Sequence, residues 1–88
     1  MGRVLLVTSL GCTPCLRVKR ILNELQVEMP DLAVEEVEFT SLSGSKLAIE
    51  HGILYPPAVF LNGTLIAKGK IDAEEMIATI REMNGAHN

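Results

Sequence analysis

The chain has 88 residues, eight Lys and Arg against eleven Asp and Glu for a net charge of −3, and 48% apolar residues of which few are aromatic. A chain of this length buries roughly 60% of its unfolded surface, so it supports a single domain with a Val, Leu and Ile core that needs no disulfide to hold it. The acidic balance excludes an electrostatic nucleic-acid binder, since the one dense basic cluster is Arg17, Lys19 and Arg20.

Met1-Gly2-Arg3 is followed by only four apolar residues, Val4 to Val7, before Thr8 and Ser9. That run is too short for a signal-peptide core or a membrane span, so a cytoplasmic protein with no membrane partner is expected. Gly2 opens no myristoylation motif, because Leu6 stands where Ser or Thr is required. The same continuous run suits a strand covered on both faces. Further on, Val18, Ile21, Leu22 and Leu25 recur at i, i+3, i+4 and i+7, the stripe of a helix facing a core. Pro30-Asp31 interrupts it. Leu32 to Phe39 then mixes apolar residues with Glu35, Glu36 and Glu38, as expected of a sheet-edge strand.

Ser41, Ser43 and Ser45 offer N-caps for a short helix over Lys46 to His51, and Gly52 is placed to end it. Ala58 to Leu61, Asn62-Gly63 and Thr64 to Ala67 predict an antiparallel hairpin, because Asn-Gly accepts the positive φ values of a tight turn. Asp72 caps a last helix with Glu75 three residues on, and Ala73, Met76, Ile77, Ile80 and Met83 form its buried stripe. Residues 84–88 read as a frayed tail. The order is β-α-β-α-β-β-α, with no linker or repeat, so residues 1–88 form one domain. Two strands joined through a helix are parallel and the hairpin adds antiparallel neighbours, which predicts a three-layer α/β/α sandwich around a four-stranded mixed sheet.

The only two cysteines, Cys12 and Cys15, lie between the first strand and the first helix. In a reducing compartment such a pair is more often catalytic, redox-sensing or metal-binding than a permanent staple. With the helix starting near Thr13 and Pro14, Cys15 lies three residues before Val18 and seven before Leu22, on the buried stripe. Cys12 falls at the helix start, where unpaired N–H groups and the positive end of the dipole favour a thiolate and lower its pKa. Arg17 and Lys19 add positive charge nearby but also suit a wet helix face. The spacing lets the two sulfurs bond without rebuilding the fold. Zinc would need four ligands, and beyond the cysteines the chain offers only His51 and His87, both read as solvent-exposed; no metal or other cofactor is expected. A site shared between two chains, or a cluster completed by an outside thiol, is the alternative.

Cys12-Thr13-Pro14-Cys15 after the first strand, Pro57-Ala58-Val59-Phe60-Leu61-Asn62-Gly63, and the order of elements together resemble the thioredoxin and glutaredoxin superfamily from about Arg3 to Met83. The resemblance implies a thioredoxin-like fold and a thiol-disulfide oxidoreductase in which Cys12 is the nucleophile and Cys15 resolves the mixed disulfide. Thr13, Pro14 and Pro57 would support the site, Pro57 matching the family's cis-proline, while Gly11, Tyr55, Pro56, Lys68 and Gly69 would meet the substrate. Implied partners are a disulfide-containing protein or small molecule and an electron donor, a reductase or glutathione. The subtype is mixed. Proline before the second cysteine is thioredoxin-like, whereas the missing N-terminal strand and the short step from Pro57 to Asn62-Gly63 look like glutaredoxin. Gly11 replaces thioredoxin's tryptophan, Leu6 replaces its buried acid, and Gly69 and Asp72 alone match the glutaredoxin Gly-Gly-x-x-Asp signature, with Lys68 in place of its first glycine. Lys68 or Lys70 would then meet a glutathione carboxylate. Pro56 stands where the family pairs both N–H and C=O with substrate and has no N–H to offer, which predicts looser substrate binding. The non-enzymatic alternative is a redox-responsive module, or one carrying a metal or Fe–S cluster on the same thiols.

Overall fold

The computed structural model describes residues 2–85, with side chains through Met83. Seven elements follow one another: β1 (Gly2–Thr8), α1 (Thr13–Glu28), β2 (Leu32–Glu38), α2 (Leu42–His51), β3 (Ala58–Leu61), β4 (Thr64–Lys68) and α3 (Ala73–Gly85). They build one four-stranded sheet in the order β2-β1-β3-β4. β1 runs parallel to β2, from Gly2 opposite Leu32 to Thr8 opposite Glu38, and antiparallel to β3, where Leu6 faces Val59. Asn62 and Gly63 turn β3 into β4 with φ values of 51° and 85°, the left-handed geometry that Asn-Gly tolerates.

The alternation of side chains along the central strands explains why their sequences are apolar throughout. Val4 and Leu6 of β1, with Val59 and Leu61 of β3, point to one face and pack with Val18, Leu22 and Leu25 of α1 and Met76 and Ile80 of α3. Val7, Ala58 and Phe60 point to the other, where Ala48 of α2 and Ile53 cover them. A strand wet on one side would alternate polar and apolar residues; these serve two cores at once. β2 lies at the edge with its glutamates outward, Glu35 paired to Arg3 at 3.0 Å and Glu36 to Lys19 at 3.1 Å. Charge there discourages another strand from adding on.

Two boundaries and one side-chain environment differ from the sequence expectation. α2 begins about a turn earlier, because Ser41 is the cap in use: its Oγ accepts the Gly44 N–H at 3.0 Å. α3 includes residues 84 and 85, assigned above to the tail, since nothing ahead of Gly85 interrupts its ladder; residues 86–88, His87 among them, lie outside the described residues. His51 is half-buried rather than exposed, its ring edge-on to Phe60 at 4.9 Å on the inner side of α2.

Gly44 brings α2 against the end of β2. A Cβ there would overlap the Glu38 carbonyl oxygen and lie 3.1 Å from the Phe39 Cα, both backbone atoms that cannot step aside. Gly44→Ala is expected to destabilise the protein by about 3 kcal/mol, the upper part of the usual overpacking range, as a lowered denaturant midpoint at unchanged slope. An unchanged midpoint would mean that α2 sits further from the sheet.

Candidate active site

The two cysteines occupy the junction where β1 delivers the chain to α1. Gly11, at φ 75°, turns the backbone after Ser9 and Leu10, and the Cys12 N–H closes the turn on the Ser9 carbonyl at 3.3 Å. Cys12 is then the N-cap of α1: its backbone is extended, and its Sγ accepts the Cys15 N–H at 3.2 Å. Sulfur here does what a Ser or Asp oxygen does at other helix starts, satisfying an N–H that has no carbonyl within the helix. Pro14 in the first turn has no N–H that would need a partner.

Cys12 and Cys15 are joined in a disulfide with Cα atoms 5.2 Å apart. The two sulfurs are not equivalent. Cys15 is 1% exposed, continuing the stripe of Val18, Leu22 and Leu25, whereas Cys12 is only partly covered. No buried polar or charged side chain stands behind Cys15 among the described residues, and Leu6 is fully buried in the apolar core.

Cys12 opens onto a groove of about 500 Å³. α1 and its cap supply Cys12, Thr13, Pro14, Arg17 and Val18 to one wall; Tyr55, Pro56 and Pro57 supply another; Gly69, Lys70 and Ile71 complete it after β4. The Pro56-Pro57 peptide is cis. The Pro57 carbonyl accepts the Gly69 N–H at 2.8 Å, which ties these last two walls together, and Tyr55 lies over Gly69, whose Cβ would meet the Tyr55 Oη at 3.2 Å. A second depression of about 560 Å³ beside α2 is lined by Phe39, Ala48, Ile49 and Leu54, among others, with no sulfur or charged side chain.

Of the residues singled out from sequence, Cys12, Thr13, Pro14, Tyr55, Pro56, Pro57 and Gly69 meet in this groove, with Cys15 beneath it. Gly11 does not line it and shapes the preceding turn instead. Lys68 does not line it either: as the last residue of β4 it borders a smaller depression with Gly52 and Leu54, its Nζ donating to the Gly52 carbonyl at 3.4 Å. Lys70 is the lysine in the groove. Lys19 is turned away to Glu36, whereas Arg17 reaches across and donates from Nη1 to the Ile71 carbonyl at 3.5 Å. In the sequence Arg17 stood out only as positive charge near the pair; Val18 was read as part of the buried stripe of the helix, and Ile71 carried no signal. Among the described residues, no group of three or more His, Cys, Asp or Glu is arranged to hold a metal ion, and no helix is long and apolar enough to cross a membrane.

A cysteine pair at the tip of a central strand, capping the helix that crosses to a parallel neighbour, defines the thioredoxin class of α/β protein. Solved structures agree: thioredoxin O2 of Arabidopsis thaliana superposes with a TM-score of 0.73 at 18% identity, covering 94% of this chain and 75% of that one. Thioredoxin f2 of Chlamydomonas reinhardtii gives 0.70 at 24% identity over 93% of this chain and 78% of its own. No family model matches the sequence. A thioredoxin of Methanocaldococcus jannaschii is 31% identical over 80 residues, 91% of this chain and 93% of the relative. The chain belongs to the thioredoxin family, and with its Cys-x-x-Cys pair it is a thiol-disulfide oxidoreductase.

Proposed function

We propose that the protein reduces disulfides of other proteins in the cytoplasm, with Cys12 as the attacking sulfur and Cys15 as the resolving one. The observation that carries this assignment is the unequal placement of the two sulfurs, one partly open at a helix start and the other sealed in the core. In the reduced protein, the Cys15 N–H and the first-turn dipole favour Cys12 as the thiolate. That thiolate attacks one sulfur of the target, forming a mixed disulfide and expelling the other target sulfur as a thiolate. Cys15, kept as the thiol by apolar burial, gives up its proton to the expelled target thiolate and attacks the Cys12 sulfur. The second target sulfur leaves, and the Cys12–Cys15 bridge carries the two electrons' worth of oxidation.

The bridge is then reopened by an external donor, completing a short electron-transport chain. A protein reductase is the proposed donor rather than glutathione. The 31% identical relative is a thioredoxin, and of the two lysines offered to a glutathione carboxylate only Lys70 lines the groove, Lys68 lying outside it. Tyr55, Pro56 and Gly69 form the surface on which a target would lie, and Thr13, Pro14 and Pro57 hold the pair in place. Pro56 offers only its carbonyl, so backbone pairing at that point is one-sided.

Alkylation of the reduced protein with iodoacetamide across pH tests the assignment. Only thiolate reacts, so the rate rises with pH and levels off above the thiol pKa. Cys12 is expected to react first and to level off well below the ~8.5 of a free cysteine. Peptide mapping that found Cys15 modified first, or a profile still climbing at that pH, would reverse the roles.

A further inference from the structure

We propose that the groove beside Cys12 selects disulfides set in acidic protein segments, with Arg17 and Lys70 receiving the carboxylates; this rests on the reductase reading above and names its substrate class. The chain is acidic overall, yet both charged residues lining the groove are cations and no Asp or Glu lines it. Elsewhere Arg3, Lys19 and Arg81 are each matched to a glutamate, at 3.0, 3.1 and 2.6 Å, while Arg20, Lys46 and Lys68 stand outside the groove without such a partner among the described residues. Among the described residues Arg17 and Lys70 have no carboxylate within the 4 Å of an ion pair.

Arg17 is also held in position. Its bond to the Ile71 carbonyl spans the groove from α1 to the segment after β4 and uses one N–H of a guanidinium that has five. The remaining donors suit a planar carboxylate, which a guanidinium binds through two parallel hydrogen bonds. Between the cations the lining is apolar, from Pro14, Val18, Pro57 and Ile71. Tyr55 at 59% exposure and Leu16 at 62% add apolar surface beside the site. A small anion would leave that surface wet; a polypeptide with apolar and acidic residues around its cystine covers it.

The test uses three synthetic peptides with the same disulfide loop and apolar residues, differing only in Asp, Ser or Lys beside one cysteine. The rate at which each oxidises the reduced protein is divided by its rate with dithiothreitol, which removes the peptide's own reactivity. The Asp peptide is expected to exceed the Ser peptide by about 3- to 10-fold at low salt, as two partly exposed charge contacts supply, and the Lys peptide to fall below it. The ratio shrinks at high salt. In the Arg17→Gln/Lys70→Gln protein it approaches one, whereas Arg20→Gln/Lys46→Gln, an equal charge change on residues that do not line the groove, keeps it.

An Asp-to-Ser ratio near one in the unaltered protein, or one that survives in Arg17→Gln/Lys70→Gln, overturns the proposal while leaving the reductase reading intact. Glutathione disulfide outpacing the Asp peptide, with the same dependence on Arg17 and Lys70, overturns the assignment to protein segments. Failure to exchange with any peptide, the neutral one included, overturns both readings together.

Discussion

Replacing Cys12 with serine is expected to lower insulin-disulfide reduction by on the order of 10³-fold or more, to the rate of the reductant alone, because the group proposed to attack is lost outright. A hydroxyl in the same position keeps the N-cap, since serine is itself a preferred cap, so the fold is expected to be retained and the loss read as chemical. What serine cannot supply is an anion at neutral pH. Cys15→Ser divides the cycle differently. Cys12 still attacks, but no neighbouring sulfur releases the product, so a protein–substrate adduct through Cys12 accumulates and is seen by mass without reductant. Cys12→Ser turning over like the unaltered protein, or Cys15→Ser accumulating no adduct, would remove the order of attack proposed for the pair.

The second large effect is expected in the core. Leu22 is 0% exposed and packs in the layer between α1, α3 and the sheet, with Leu6 and Ile80. Leu22→Ala removes its side chain from a region that cannot collapse freely and is expected to destabilise by about 2–5 kcal/mol. That is a large share of the ~5–15 kcal/mol that holds a domain together, and each kcal/mol lowers the melting temperature by about 4–8 °C in a chain this small. Val27 lies on the same helix at 83% exposure. Val27→Ala is expected within about 0.5 kcal/mol of the parent. Thermal unfolding of the oxidised proteins compares them, and equal losses would contradict the orientation given for α1. The pair bears on function because Leu22 and Cys15 share one helical stripe: the face that packs the core is the face that seals the Cys15 sulfur.

Much of this arrangement is legible in the sequence because it is local. Val4 to Val7 announced a doubly covered strand, Asn62-Gly63 the hairpin, Asp72 the cap of α3, and the Val18-Leu22-Leu25 stripe the inner face of α1; each depends on backbone sterics or on periodicity within one segment. The inequality of Cys12 and Cys15 was readable for the same reason, since three residues along a helix start separate a cap from a buried position. Ser41 was one of three serines offered as caps, and choosing among them required Gly44 to meet the β2 backbone, a contact between segments.

Lys68 and Lys70 differ by two residues in sequence and cannot be ranked there; the end of β4 and the turn at Gly69 put one beside Gly52 and the other in the groove. Arg17 gains its place only because Ile71 comes to lie across from α1. By itself, then, the sequence determined the elements, their order and the unequal pair of sulfurs, all consequences of short-range geometry. Which charges surround the Cys12 sulfur was decided only when strands distant in the chain paired and brought the loops at their ends together, because electrostatic neighbours are set by distance in space and not by position along the chain.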